Sequence, residues 1–119
     1  MKAQREYDDY VRDMLDAVAK ALLFTQGMDY AAFAADEKTV YAVVRALELL
    51  GEASKGIPKS VRDRYPGLPW RAMAGMRDRL IHGYFGVDLE VVWKAVQEDL
   101  PTLKPKLEQL LTETQETKQ

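Results

Sequence analysis

Apolar residues recur along this chain at helical spacing and do not alternate with polar ones in the two-residue period of a strand. From about Arg5 to Gln26, Tyr7, Val11, Met14, Val18, Ala21 and Thr25 follow steps of four and three, flanked by Tyr10, Leu15 and Leu22. This predicts a first helix with a bundle seam, ended by Gly27. Asp8, Asp9, Arg12, Asp13, Asp16 and Lys20 are assigned to its outward side, an acidic face near the start, where carboxylates also favour the helix dipole. Asp29 is placed to cap a short helix over Tyr30–Ala35, and Asp36 to cap a second long helix from about Glu37 to Ser54. Val40, Val43, Val44, Leu47 and Leu50 make the buried stripe of that helix, and the small residues Gly51 and Ala53 near its end permit another backbone to approach closely.

From Lys55 to Leu68 the chain is punctuated by Gly56, Pro58, Pro66 and Gly67, with room for one short helix around Lys59 to Arg64. Pro69 suits the first turn of a third main helix, along which Trp70, Met73, Met76 or Arg77, Leu80 and Tyr84 keep the pattern. Asp88 can cap a fourth, with Val91, Val92, Ala95, Val96, Leu100, Leu103, Leu107, Leu110 and Leu111 as its apolar face. Pro101 and Pro105 lack the amide donor and must kink or divide it; one kinked helix is the expectation. After Thr112 the polar tail has nothing to bury and is expected to fray, leaving one domain over residues 1–112 and a tail over 113–119. The fold class is all-α: an up-and-down bundle of four main helices plus one or two short ones.

Composition narrows the setting. With 119 residues, 47% hydrophobic and 30% charged, the chain has the make-up of an ordinary globular domain, and no apolar run reaches membrane-spanning length. The N-terminal Met-Lys-Ala-Gln-Arg-Glu lacks an apolar signal core, and zero cysteines exclude disulfides and thiolate metal sites, so a cytoplasmic protein without a membrane partner is expected. A net charge of -2 argues against a general nucleic-acid binder. The charge is uneven, however: from Gly56 to His82 six basic residues (Lys59, Arg62, Arg64, Arg71, Arg77, Arg79) face two acidic ones (Asp63, Asp78). Such a field suits a selective site, docking to an acidic partner, or simply a solvated face.

The chemistry centres on Met76 to Tyr84, which holds the only histidine. His82 can take and give a proton near neutrality, and Arg77 and Arg79 supply fixed positive charge beside it, a combination that suits a phosphodiester. Gly83 and Gly86 suggest that a helix ends here, with His82 on a rim; a lone histidine in that place is also explained as a cation on the helix dipole. Arg77 and His82, five apart, lie roughly 140° from one another on an ideal helix, so within one chain they do not share a face. Asp78 does share that face, and either orients the imidazole or is a solvated partner of an arginine. Glu52 is either a buried acid near the site or a solvated glutamate. No phosphate-cradling glycine loop and no HExxH motif occurs, and one histidine is too few for an imidazole metal site, so neither metal nor cofactor is expected.

Arg77-x4-His82-x-Tyr84 resembles the Arg-x4-His-x-Tyr signature of the HepT toxins of the HEPN superfamily. The segment Gly51-Glu52-Ala53 is similar to the family's "GEA" segment, and Ile57-Pro58, Tyr65-Pro66 and Pro69-Trp70-Arg71-Ala72-Met73 to the stretch before its motif, so the resemblance spans roughly residues 5 to 112. It implies a metal-independent endoribonuclease toxin that acts as a homodimer, Arg77 and His82 of two subunits meeting in a composite site, with Asp78, Arg79 and Glu52 in support. It implies as partner an antitoxin of the MNT type, a minimal nucleotidyltransferase that adenylylates Tyr84. Asp78 stands where the family commonly has Asn, and a carboxylate near an RNA phosphate is repulsive. The alternative is a catalytically weak partner subunit of a nucleotidyltransferase that holds a nucleotide in the same cleft.

Overall fold

The computed structural model describes residues 6–80 and 87–118, apart from the side chains of residues 77, 117 and 118. The described chain is all-α. Helix α1 spans Tyr7–Phe24, α2 Tyr30–Ala35, α3 Glu37–Ser54, α4 Lys59–Arg64, α5 Trp70–Ala74, α6 Met76–Leu80 and α7 Leu89–Lys94; a π-helical turn over Ala95–Asp99 then leads into α8, Leu100–Lys118. The long helices α1 and α3 pack together, and α8 lies against α1; α2, α5, α6 and α7 sit on α3. Val11, Met14, Val18, Leu47, Leu50, Leu100, Leu107 and Leu110 are buried between the three long helices, along the stripes that the four-and-three spacing marks.

Local chemistry sets the boundaries. Glu6 and Asp9 form a capping box at the start of α1, and Gly27, at φ 78°, turns the chain after it. Asp29 accepts from the Ala32 amide at 2.8 Å, and Asp36 accepts from the Thr39 amide and hydroxyl. Those Thr39 hydrogen bonds hold the Asp36 carboxyl below its usual range.

Two expectations need correction. Asp8 is buried, not part of an outward acidic face, because it stands one turn before Arg12, whose guanidinium lies 3.1 Å from its carboxylate. The third main helix is two pieces: Gly75, at φ -88° and ψ 7°, leaves helical geometry and separates α5 from α6. The fourth helix runs without interruption from α7 through the π-helical turn, in which the Leu100 amide reaches back to the Ala95 carbonyl, into α8, where Pro101 and Pro105 are exposed. α8 runs past Thr112 to Lys118; Thr114 is buried with its hydroxyl donating to the Leu110 carbonyl at 2.8 Å, and Glu113 accepts from the Tyr65 hydroxyl. That tail has a partner from the linker, which tail composition alone does not reveal.

Candidate functional site

Glycine at position 51 decides where the signature helix sits. A Cβ there would stand 2.6 Å from the Met73 carbonyl oxygen and 3.4 Å from Met76 Cβ, so only a residue without a side chain lets α5 and α6 lie this close on α3. The buried Ser54 hydroxyl donates to the Gly51 carbonyl at 2.7 Å, and Ala53 is buried beside it. Met73, Met76 and Leu80 then fill the core from the inner side of α5 and α6. Leu80 is fully buried, and its carbonyl accepts from the Asp88 amide at 3.0 Å. Asp88 in turn caps α7, its side chain accepting from the Glu90 and Val91 amides. The chain on either side of residues 81–86 is thus tied together at the surface of the bundle.

Of the residues expected to carry the chemistry, His82 and Tyr84 lie outside the described residues, as does the side chain of Arg77, whose backbone belongs to α6. Asp78 and Arg79 are exposed and form no ion pair with one another or with another described residue. Arg79 looks into a groove of about 420 Å³ whose floor includes Met73, Met76, Leu100 and Leu103 and whose far rim carries Glu98 and Asp99 of the π-helical turn. Glu52 is exposed, which corrects the reading of it as a buried acid: with Gly51 and Ala53 turned inward, the residue between them points out.

The half-buried acid is Glu48, which the sequence reading passed over. It lines a depression of about 320 Å³ with Arg45 and Glu52 of α3, Lys55 just past its end, and Ala74 of α5. The signal for it was present, since Glu48 precedes Gly51 by three residues and so lies on the face of α3 that meets the signature helix. Among the described residues no group of three or more histidine, cysteine or acidic side chains is gathered as a metal centre requires. No described helix is long and apolar enough to cross a membrane.

The family described as Ribonuclease HepT-like matches residues 14–110 of this chain. A protein of Thermococcus cleftensis named as a probable ribonuclease HepT is 50% identical over 107 residues, which cover 90% of this chain and 97% of that protein. Two candidate RNases of Methanocaldococcus jannaschii are similar at 40% identity over 113 residues and 41% over 108, covering 95% and 91% of this chain and 97% and 89% of their own lengths. No solved structure matches the chain.

Proposed function

We propose that this chain, which belongs to the HepT-like ribonuclease family, is a metal-independent endoribonuclease toxin that cuts RNA through a composite site. Arg77 and His82 of two subunits would form that site. The observation that carries the reading is the seat of the signature segment. α6 rests on Gly51, Leu80 anchors it in the core, and the Asp88 amide closes onto the Leu80 carbonyl, so the backbone that bears Arg77 is held against α3 at one end and tied to the start of α7 at the other.

A second subunit is supported by the neighbouring face of α3. Tyr41 and Leu49 are 71% and 42% exposed there, with Arg45 between them at four-residue spacing. Apolar side chains at that exposure are normal singly; a two-fold partner seated on this side of α3 would cover both.

The reaction follows from the residue types. His82 takes the proton of a ribose 2′-hydroxyl, whose oxygen attacks the adjacent phosphorus. The P–O5′ bond breaks, and the leaving oxygen takes a proton from an imidazolium, leaving a 2′,3′-cyclic phosphate and a 5′-hydroxyl. Arg77 stabilises the charge that grows on the pentavalent phosphate. Exposed Asp78 has its charge screened by water and salt, which reduces its repulsion of the RNA. The same reading makes the cognate antitoxin a minimal nucleotidyltransferase that adenylylates Tyr84, placing a phosphate and a purine beside the catalytic pair.

The test is cleavage of RNA by the purified chain in the presence of a chelator. The parent should yield cyclic-phosphate ends, and Arg77→Ala and His82→Ala should each slow cleavage on the order of 100-fold or more while the far-ultraviolet dichroism stays that of the parent. Undiminished cleavage by both variants, or loss of parent activity on chelation, would refute it.

A further inference from the structure

We infer that the groove between α4 and α5 holds the RNA strand next to the composite site, with its phosphates on Arg62 and Arg71 and a base against Trp70. This rests on the ribonuclease reading and adds a substrate-binding surface to it. The groove has a volume of about 480 Å³ and is lined by Arg62, Asp63, Pro66, Trp70, Arg71 and Ala74.

Its charges are not balanced from within. Arg62 and Arg71 are exposed and form no ion pair with any described residue. Asp63, the carboxylate that lines the groove, is engaged by Lys59 at 2.9 Å, so its charge is offset before a ligand arrives. Two uncompensated guanidiniums present planar donor forks, the geometry that matches phosphate oxygens.

The aromatic wall separates nucleic acid from an acidic protein surface as the occupant. Trp70 is half-buried, and its indole N–H donates to the Tyr65 carbonyl at 3.0 Å, which fixes the ring while leaving part of it toward the groove beside Pro66. A fixed aromatic next to guanidiniums is the arrangement on which single-stranded bases stack without sequence preference. Position agrees with charge. Arg71 of α5 precedes Arg77 of α6 by six residues across the break at Gly75, so the groove lies on the helix that leads into the signature segment. Ala74, at the end of the groove, also lines the depression that holds Arg45 and Lys55, but there Glu48 and Glu52 offset the cations. The favourable stretch is therefore the α4–α5 side.

The experiment compares the full chain with Arg62→Gln/Arg71→Gln. On a His82→Ala background, binding of a labelled single-stranded RNA oligonucleotide is followed over a range of salt. Removing two phosphate contacts should flatten the slope of log affinity against log salt by about 1.4, from roughly 0.7 per contact on a single strand. With His82 present, KM for the oligonucleotide should rise about tenfold at unchanged kcat, and cleavage of a dinucleotide too short to reach the groove should be unaltered. An unchanged slope and KM in an enzyme that still cleaves RNA overturns the groove alone, as does a double variant that loses only binding to an acidic protein. A parent that neither binds nor cuts RNA overturns the ribonuclease reading beneath it. Both arginines are exposed, so the melting temperature should stay that of the parent; a fall in the dinucleotide rate would place them in the catalytic machinery and also refute the inference.

Discussion

Gly51→Ala sets two effects of opposite sign against each other. Intrinsic helix propensity favours alanine over glycine inside a helix by about 1 kcal/mol, and Gly51 lies within α3, so on local grounds the substitution stabilises. Packing opposes it. The new methyl carbon would stand 2.6 Å from the Met73 carbonyl oxygen, and the obstacle is backbone, so no rotamer change relieves the contact. α5 must retreat by roughly 0.5–1 Å, and strain of this kind in a close-packed interior costs about 1–3 kcal/mol. With no flexible atom to yield, the upper part of that range applies and the net loss is about 1–2 kcal/mol. In a domain of this size that lowers the melting temperature by roughly 4–8 °C. A shift of α5 that is passed across Gly75 to α6, which carries Arg77, can also reduce cleavage on the order of 100-fold. Thermal unfolding and RNA cleavage are measured on Gly51→Ala beside Gly67→Ala, where an added Cβ meets nothing within 4 Å and little change is expected. A Gly51→Ala protein that melts at or above the parent and cleaves as fast would show that propensity wins and that the seat of α6 is looser than the close contact implies.

Three further outcomes are expected. The carboxylate of Glu113 pushes the Tyr65 phenol up to about 12 from its ordinary value of 10.0, and the Tyr65 hydroxyl holds the Glu113 carboxyl below 4.5. The neutral phenol and the ionised carboxylate are thus the forms favoured by folding: the contribution is fully present between those ordinary values, fades as pH rises from 10 toward 12, and fades again as pH falls below 4.5. The melting-temperature difference between parent and Tyr65→Phe should follow that profile, and a difference independent of pH would remove the hydrogen bond as its cause. Light scattering should give twice the chain mass for the parent and a lower average mass at micromolar concentration for Tyr41→Lys/Leu49→Lys, with cleavage falling in parallel; a monomer with full activity would end the composite-site reading. After co-expression with a minimal nucleotidyltransferase, mass spectrometry should place AMP on Tyr84, and Tyr84→Phe should remain toxic but escape neutralisation. AMP mapped to another tyrosine would show that the antitoxin acts by a different route.

What was legible in the sequence follows the range of the interaction. Asp29, Asp36 and Asp88 cap the helices they precede in the chain, because a cap is a contact over three residues and its partners are fixed by the helix itself. The apolar stripes of α1, α3 and α8 were equally readable, being the demand of one face for a core. Gly51 and Ala53 also read correctly as a place of close approach, although the sequence does not say which backbone would come near. Where the reading failed, the deciding partner was distant or the rule was local but conditional. Tyr65 meets Glu113 across 48 positions, a pairing that no local rule reveals. Gly75 is tolerated inside many helices and here divides one, because α5 and α6 each take their own bearing on α3.

The acid beside the signature helix shows how helical phase settles what residue type leaves open. Glu48 and Glu52 are one turn apart on α3, and both line the depression that reaches Ala74. Gly51 is the residue that touches α5, so the face toward the signature helix is centred there, with Glu48 three residues before it on the buried flank. Glu52, one residue further along, is rotated about 100° away and exposed. A carboxylate that is to orient an arginine or a histidine of α6 or of the segment after it must come from the buried flank, where its position is fixed by packing. Of these two, Glu48 is therefore the better placed to support the proposed composite site.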